Sequence, residues 1–590
     1  MSTLSYPFDA GELLQKKRAI KKELLGKGKL IEKRVAIMSG STVGEVKNML
    51  ELFLLSHGIQ PVFFEGGYSL FYEDLVFDNP ALAAFEPELI YIHTSVRNIN
   101  AWPSTADSAE QVDAKLTREF GRFKGAFTAA AKYNCPVIQN NFELPPYRIM
   151  GNRDFYDQRG RVNFVNRLNT LLAEYAAGTT GLYINDINYL AATEGLDVWH
   201  AREDWYAYKY AMAVKCIPAL AHSVALIAKS ILGKNHKSLI LDLDNTLWGG
   251  IIGDDGADGI SLGMETPTGM AYSEFQNYLK ELSGLGVMLN VCSKNEKSIA
   301  QTGFEREDSP LKLDDFIAFK ANWEPKHINI ANIASELNIG QDAFVFIDDN
   351  PAEREIVRQN LPAVTVPEVA APEHYIDVVA RGGYFEVTTF SADDKKRNEM
   401  YKQNMQRIEL EESFTDYTDY LLSLEMTGDF GPFNAGNMER VTQLINKTNQ
   451  FNLTTRRYTP AQVQALTASD EYITLYGRLV DKFGDNGLTA CIIGHVTGES
   501  CHIDLWVMSC RVFKRDLELA MFDSFVAACL AKGVTKITGS YYPTAKNLLA
   551  KDFYATIGFT MQSEDDDGNR EFTLENLAGY ENKNKVIKLQ

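Results

Sequence analysis

The chain has 590 residues, of which 45% are hydrophobic and 23% charged, and its formal net charge is −19. This length exceeds what one hydrophobic core usually organises, so we expect about three domains. The acidic balance disfavours binding to nucleic-acid phosphates and to anionic membrane surfaces, and we expect neither as a partner.

The seven cysteines are widely spaced and include no Cys-x-x-Cys pair. Neither a disulfide framework nor a structural zinc site is therefore expected. The lysine-rich start of the sequence lacks the apolar run of a signal peptide. The most apolar stretch, Cys216 to Leu232, contains Pro218, His222 and Lys229 and is typical of an amphipathic helix. We expect a cytoplasmic protein.

The first predicted domain covers residues 1–233. Its apolar runs end in small polar residues and start at Arg34, Gln60, Glu88 and Cys135. Helical patterns lie at 46–56 and 110–133, and a helical stretch at 202–233 closes the domain. Alternating strands and helices predict a parallel sheet that is covered on both faces. The Ser, Gly and Asn residues at the strand ends lie at the edge where open α/β sheets bind ligands.

The second predicted domain, residues 234–380, is again α/β, with apolar strands that start at Ser238, Val287 and Ala343. A charged helical linker is predicted over residues 381–420. The third domain, residues 421–590, combines helical patterns with long strand-like runs, which predicts an α+β fold. The fold class expected for the whole chain is therefore α/β multidomain.

Acidic, hydroxyl and cationic side chains follow the strands of the second domain. They are Asp242, Asp244, Thr246, Ser293, Lys326, Asp348 and Asp349. Carboxylates at a strand end suit Mg²⁺, which prefers oxygen ligands, and a lysine ammonium suits a phosphoryl oxygen. A nucleophilic carboxylate, an acid/base carboxylate and these charges are the parts that phosphoryl transfer through an aspartyl-phosphate needs.

The sequence resembles the haloacid dehalogenase (HAD) superfamily, because Asp242, Asp244 and Thr246 match its Asp-x-Asp-x-Thr motif. Ser293, Lys326 and the pair Asp348/Asp349 match the later motifs in order. The resemblance implies that Asp242 attacks phosphorus and that Asp244 protonates the leaving oxygen. It also implies Mg²⁺ on Asp242, on the Asp244 carbonyl and on Asp348, with Asp349 in support.

Longer segments resemble the FkbH-like branch of this superfamily. They are Leu241-DLDNTLWGGIIGDDG, Val291-CSKN, Ala321-NWEPK, Phe346-IDDNPAERE and Gln443-LINKTNQFNLTTRRYT. The resemblance implies an enzyme that dephosphorylates a small phosphorylated acyl substrate and loads a glyceryl unit onto an acyl carrier protein. Two alternatives stay open: a plain phosphatase acting on a phosphorylated metabolite or sugar, and an assembly factor that binds a carrier protein.

Two features bear on the chemistry beyond phosphate removal. The spacing between Thr246, Ser293 and Lys326 leaves little room for a large cap domain, so we expect an open site that admits a bulky partner. Cys292 precedes Ser293 at a strand end, and two interpretations stand. It is an acyl-accepting thiol, or it is a small hydrophobic residue that fills the sheet.

The first domain loosely resembles SGNH hydrolases in its segments Ser39-GST and Asp197-VWH. The resemblance implies Ser41 as nucleophile and His200 as base, oriented by Asp197, with Asn98 or Asn141 as an oxyanion donor. The alternative is a domain used for docking or scaffolding.

The third domain resembles GNAT acyltransferases in Asp504-LWVMSCRVFKRD and in residues 547–559. The resemblance implies phosphopantetheine or CoA binding, and the candidate residues are Arg511, Lys514, Asn547 and Tyr554. Lys514 and Asp516 stand where glycines are common in FkbH-like proteins, so their side chains obstruct close approach of a diphosphate. Carrier-arm binding and a structural role both stay open.

Overall fold

The computed structural model describes residues 3–26, 30–390, 392–544 and 546–590. The chain forms two compact units: Met1–Lys234 with Glu386–Thr388, and Asn235–Phe385 with Thr389–Gln590. The expected α/β multidomain fold is confirmed, while the domain boundaries at 233, 380 and 420 stay predictions.

The first unit is built on one parallel sheet. Its strands are β1 (Ile31–Ser39), β2 (Ile59–Glu65), β3 (Leu89–His93), β4 (Val137–Asn140) and β5 (Leu182–Asn185). Its helices are α1 (Ala10–Leu25), α2 (Gly44–Ser56), α3 (Phe71–Val76), α4 (Pro80–Phe85), α5 (Ala109–Ala130), α6 (Arg161–Ala177), α7 (Ile187–Glu194), α8 (Leu196–Trp199), α9 (Arg202–Tyr208) and α10 (Ile217–Ile231). The strand order is β2-β1-β3-β4-β5, so the predicted parallel sheet is confirmed and β5 is added to it.

Helices cover both faces of this sheet. Ile37 and Tyr91 pack in one buried cluster with α2 and α10, whereas Ala36 and Ile90 pack in a second cluster with α5 and α6. Neighbouring residues of a strand point to opposite faces, which is why adjacent side chains serve different clusters. Two covered faces explain the nearly continuous apolar runs of the sequence.

Among the described residues, one segment is long and apolar enough to cross a membrane by length and composition, Val214–Ile231. It contains α10, and 72% of it is buried inside the protein. Its apolar residues pack against α2 and the first sheet. The apolar composition is therefore accounted for by core packing.

The second unit begins with a four-stranded sheet. Its strands are β6 (Ser238–Leu241), β7 (Met288–Ser293), β8 (Phe316–Ala321) and β9 (Phe344–Ile347). Its helices are α11 (Ile252–Gly259), α12 (Pro267–Gly284), α13 (Lys297–Thr302), α14 (Lys326–Glu336), α15 (Pro351–Asn360) and α16 (Tyr375–Arg381). The strands are parallel in the order β8-β7-β6-β9, and β8 was not predicted from the sequence. Between β6 and β7, where every residue is described, α11 and α12 are the helices present, so the site has no large cap.

A charged helical segment and a mixed sheet complete this unit. The helices are α17 (Ala392–Lys395), α18 (Arg397–Glu411), α19 (Tyr417–Ser423), α20 (Met438–Lys447), α21 (Pro460–Thr467), α22 (Leu517–Ala531) and α23 (Phe553–Thr556). The strands are β10 (Thr427–Gly431), β11 (Phe451–Asn452), β12 (Tyr472–Asp481), β13 (Gly484–Thr497), β14 (Ser500–Met508), β15 (Lys536–Tyr541), β16 (Thr560–Glu564), β17 (Arg570–Leu574) and β18 (Lys588–Leu589). The order is β16-β17-β15-β14-β13-β12-β10-β18, with β11 paired to β14. Most pairs are antiparallel, but β14 and β15 are parallel, as in an α+β domain.

Candidate active site

The carboxyl ends of the four-stranded sheet bring the predicted catalytic residues to one edge. Asp242 follows β6, Ser293 ends β7 and Asp348 follows β9. Lys326 begins α14, in the connection from β8 to β9. Parallel strands end on the same side of a sheet, so residues far apart in sequence share one site.

Three charged side chains form the buried centre of this site. The Lys326 ammonium lies 2.8 Å from Asp242 Oδ2 and 2.5 Å from Asp348 Oδ2. All three residues are buried. Burial lowers the pKa of Lys326, but the negative charges of Asp242 and Asp348 outweigh it, so the pKa lies above its usual value. The lysine is therefore a permanent positive charge in the site.

The carboxylates of Asp242, Asp348 and Asp349 fit a divalent cation. One oxygen from each lies within 4.8 Å of the others. Asp242 Oδ1 is buried and has no hydrogen-bond partner in the protein. Burial, reinforced by the charge of Asp242, raises the pKa of Asp348 and of Asp349. A cation held here would offset that repulsion, and an all-oxygen donor set suits Mg²⁺.

Asp244 is held as an acceptor beside this centre. Its Oδ1 accepts hydrogen bonds from the indole of Trp248 at 3.0 Å and from the backbone N–H of Ile252 at 3.1 Å. Its Oδ2 accepts the Asn295 amide at 2.9 Å, and the same amide lies 3.2 Å from Ser293 Oγ. Asn295, which sequence reasoning did not single out, therefore joins the predicted hydroxyl to the predicted acid.

The loop that carries Asp348 and Asp349 is fixed by two side chains. Thr246 Oγ1 accepts the backbone N–H of Asp349 at 3.2 Å. Arg354 on α15 donates to the carbonyls of Asp348 and Asp349, both at 2.7 Å. Thr246 was predicted as a site residue, whereas Arg354 was not. A cationic residue in the first turns after an Asp-Asp strand end is the signal that would have found it.

Cys292 lies one residue from Ser293 but faces the apolar core. It is fully buried in a cluster with Ile240 and Ile330, and its thiol donates to the Lys326 carbonyl at 3.6 Å. Burial raises the pKa of this thiol. A protonated, enclosed thiol is a poor nucleophile, so the geometry favours the packing role over the acyl-accepting role.

The residues of the predicted SGNH triad do not hydrogen-bond to one another. His200 Nε2 donates to the Leu144 carbonyl at 2.8 Å, and its Nδ1 has no partner. Ser41 Oγ is buried without a partner, and Asp197 is exposed at the start of a short helix. The backbone carbonyl of Leu144 thus orients the imidazole, in place of Asp197.

The two predicted oxyanion donors are engaged elsewhere. The Asn98 amide donates to the Gly40 carbonyl at 2.7 Å, and the Asn141 amide donates to Asp186 Oδ1 at 2.7 Å. Both side chains hold loops together at the edge of the first sheet.

Two of the predicted phosphate ligands lie in the loop before α22. Arg511 contacts Ser509 Oγ and the Met400 sulfur. Lys514 and Asp516 have φ angles of +61° and +58°, conformations that favour glycine. The Lys514 carbonyl accepts the Tyr417 hydroxyl. The loop is therefore packed against helices of its own unit.

Asn547 and Tyr554 also make internal contacts. The Asn547 amide donates to the carbonyls of Asn452 and Tyr542 at 2.8 and 2.9 Å. Tyr554 is buried in the domain core, and its ring fills the space beside Gly539. These contacts are typical of structural residues.

The gap between β14 and β15 is filled by the chain itself. The two strands pair only over Ser500–Ile503 and Lys536–Gly539. Beyond that point β11 pairs with Val507 and Met508. Leu453 donates to the Trp506 carbonyl and accepts from the Tyr542 N–H at 2.9 Å. Backbone groups that would face an open cleft are thus satisfied internally.

The chain is similar to the N-terminal part of the protein BF1531 from Bacteroides fragilis, a crystal structure containing a phosphatase domain complexed with Mg. The identity is 28% and the TM-score 0.59, over 65% of this chain and 100% of that chain.

Smaller regions are similar to acetyltransferases. The ribosomal-protein-S18-alanine N-acetyltransferase from Escherichia coli matches at 12% identity with a TM-score of 0.21, over 27% of this chain and 100% of that chain. The PaiA N-acetyltransferase from Thermoplasma acidophilum matches at 10% identity with a TM-score of 0.21, over 25% of this chain and 99% of that chain. No family model and no curated protein matches the chain.

Proposed function

We propose that the chain is a Mg²⁺-dependent phosphatase whose nucleophile is Asp242. The observation that carries this proposal is the convergence of Asp242, Asp348 and Asp349 within 4.8 Å, beside the Lys326 ammonium. The similarity to a Mg-complexed phosphatase domain supports it. Held by these three carboxylates, Mg²⁺ would neutralise charge on a bound phosphoryl group.

Each step follows from the contacts of the chain's own residues. Asp242 Oδ1, which has no partner in the protein, attacks phosphorus, and the bond from phosphorus to the leaving oxygen breaks. Lys326 stays protonated and stabilises the charge on the phosphoryl oxygens. Ser293 Oγ lies at the end of β7, where it can donate a hydrogen bond to the same group.

Asp244 supplies and recovers the proton. It gives a proton to the leaving oxygen and then takes one from the water that hydrolyses the aspartyl-phosphate. Trp248, Ile252 and Asn295 hold its carboxylate between these two tasks.

The finer proposal concerns the substrate. We infer that a small acyl donor with two phosphates is consumed together with an acyl carrier protein. The carrier thiol attacks the acyl carbon and displaces phosphate from it, and Asp242 removes the remaining phosphate ester. Sequence resemblance to FkbH-like proteins supports this substrate. The burial of Cys292 removes that thiol as the acceptor, and a phosphopantetheine thiol of the carrier would take this role.

Exposed apolar side chains at the site are consistent with a macromolecular partner. Trp323 is 73% exposed and lies three residues before Lys326, and Ile251 is 48% exposed in the loop after β6. Between β6 and β9, where every residue is described, no large cap is inserted. A cytoplasmic location belongs to the same proposal, since carrier proteins and glycolytic acyl phosphates are found there.

Intact-mass analysis of a holo acyl carrier protein tests the substrate. The carrier is incubated with the enzyme, Mg²⁺ and bisphosphoglycerate, beside an Asp242→Asn reaction. We expect a glyceryl-sized mass gain that the variant lacks, and Trp323→Ala should raise the KM for the carrier without changing hydrolysis of p-nitrophenyl phosphate. Phosphate release without any mass gain would instead identify the plain phosphatase. No phosphate release from any phosphorylated metabolite would favour the carrier-binding assembly factor.

A further inference from the structure

Buried polar groups also collect at the carboxyl ends of the strands of the first sheet. Strand β1 is flanked by β2 on one side and β3 on the other, so the order in which strands are added across this parallel sheet reverses at β1. Crevices for ligands form outside the carboxyl ends of strands at such a reversal. Here the loops after β1 and β3 carry Ser41 and Arg97.

These two loops are locked together. Gly40 donates its N–H to the His93 carbonyl at 2.8 Å, and its own carbonyl accepts the Asn98 amide at 2.7 Å. A Cβ at Gly40 would lie 2.6 Å from both the His93 carbonyl oxygen and Asn98 Oδ1, so only glycine fits. Ser41 therefore sits in a fixed position beside the loop of Arg97.

Helix α9 and His200, which precedes it by two residues, lie beside these loops. Thr42 donates its hydroxyl to the Tyr208 carbonyl at 2.7 Å, and the Arg97 guanidinium stacks on the Trp205 ring at 4.6 Å. The loops after β1 and β3 and helix α9 therefore pack together at this end of the sheet.

Several buried atoms near this end of the sheet have no hydrogen-bond partner among the described residues. They include the Ser41 hydroxyl, His200 Nδ1 and Arg97 Nε, besides Glu143 Oε1 and His93 Nε2. His200 donates through Nε2, and burial lowers its pKa, so the neutral ring presents Nδ1 as an acceptor. Buried polar atoms are normally paired, and such a set is costly unless something else binds it.

We propose that this edge is a binding site for a small hydroxylated anion, a carboxylate or phosphate ester that carries a neighbouring hydroxyl. Arg97 binds the anionic group, His200 Nδ1 accepts the ligand hydroxyl, and Ser41 donates to the anion. The buried Glu143 lies in the loop after β4, and its Oε2 accepts the Val96 N–H at 3.0 Å, which ties that loop to the residue before Arg97. All the residues named for this site belong to the first unit.

Calorimetric titration of the full chain tests this site. The protein carries Asp242→Asn and is kept in EDTA, so that the phosphoryl site cannot account for binding. The probes are glycerol 3-phosphate, glycerate and, as the neutral analogue, glycerol. We expect one or both anions to bind and glycerol not to bind. The anion that binds identifies phosphate or carboxylate as the ligand class.

Variants in the same background locate the binding. Arg97→Met and Ser41→Ala should each weaken the anion by about tenfold or more, since each removes a hydrogen bond to a charged group. Arg153→Met, which removes another arginine over an aromatic ring in the same unit, should leave affinity unchanged. Ser41→Ala is nearly isosteric and decides the matter if Arg97→Met fails to fold.

Several results would overturn the proposal. One is the absence of heat from both anions up to about 10 mM, a concentration at which even a millimolar ligand saturates. Another is equal binding of glycerol. A third is an affinity that Ser41→Ala leaves unchanged.

Discussion

The two sheets of the second unit differ in whether the polar groups beside them have hydrogen-bond partners within the protein. At the edge of the four-stranded sheet, charges are concentrated, and Asp242 Oδ1 is left without a partner. In the gap between β14 and β15 of the larger sheet, the segment Phe451–Leu453 satisfies the backbone, and Asn547 holds that segment in place. The edge of the four-stranded sheet can therefore bind a ligand, whereas the gap between β14 and β15 is occupied by the chain itself.

This difference gives a criterion that sequence motifs do not supply. Both regions resemble catalytic families, but a binding site needs polar groups that the protein has left unsatisfied. By that criterion the carboxylate cluster qualifies. In the gap between β14 and β15 the backbone groups are already paired, and the unpaired buried atoms beside it are the Trp506 indole N–H and the Tyr554 hydroxyl. The edge of the first sheet, with Ser41 and His200 Nδ1, also qualifies.

The largest effect should come from removing the nucleophile. Asp242→Asn should lower the rate of phosphate release by roughly a thousandfold or more, because the covalent step has no substitute. Phosphate release under saturating Mg²⁺ measures it. Asp566→Asn, an exposed acid in the second unit, is the control and should match the wild type. If the Asp242→Asn protein kept its activity, the carboxylate cluster would not be the catalytic site.

A smaller catalytic loss is expected when the support of Asp244 is removed. Asn295→Ala should lower kcat by about 10- to 100-fold, in the range seen when outer-shell contacts of a site are lost. The loss should be larger for an alkyl phosphate than for p-nitrophenyl phosphate, whose leaving group needs little protonation. Asn360→Ala, an exposed amide on α15, should change neither. Equal losses on the two substrates would mean that Asn295 does not act through Asp244.

Removing the side chain of Asn547 should loosen the segment Phe451–Leu453 that fills the gap between β14 and β15. Asn547→Ala leaves the Asn452 and Tyr542 carbonyls without their donor, so we expect the free energy of unfolding to fall by about 1–3 kcal/mol. Urea denaturation measures this change, with Gln464→Ala as the exposed control. The wild type should show no binding of acetyl-CoA by calorimetry. Saturable binding would show that Phe451–Leu453 moves aside.

The smallest effect is expected at Cys292. Cys292→Ala should keep kcat within about twofold of the wild type and cost about 1 kcal/mol of stability, as for a small core residue. Mass spectrometry after mixing with bisphosphoglycerate should show no acyl adduct on the enzyme. An adduct that Cys292→Ala abolishes would restore the acyl-accepting role.

Much of the active site could be predicted from sequence because strand ends are local signals. Asp242, Ser293 and Asp348 each follow a short apolar run, and parallel pairing brings such ends together. Strands β5 and β8 escaped prediction. Both are short, with four and six residues, and periodicity alone does not distinguish a short apolar run in a strand from one in a helix.

The site roles of other residues depend on contacts in space that the spacing of residues along the sequence does not reveal. Asn295 and Arg354 act through hydrogen bonds to groups on other elements, and a polar residue beside a motif carries no mark of that. The spacing of Asp197 and His200 predicted that the aspartate orients the histidine. A local Asp-x-x-His spacing does not, however, determine where the two side chains point. The structure turns Asp197 to solvent and gives His200 a backbone partner.

Helix α18, which the sequence predicts as part of a linker, is held by both halves of the second unit. Tyr401 packs with residues of the four-stranded sheet, and Leu410 packs against the core of the larger sheet. Between them Arg407 is fully buried and bonds Asp481 at 2.9 and 2.7 Å. Leaving either charge buried without the other is costly. Proteolysis should therefore find no cleavage site in this helix until both sheets have melted, and the unit should lose its structure in a single calorimetric transition.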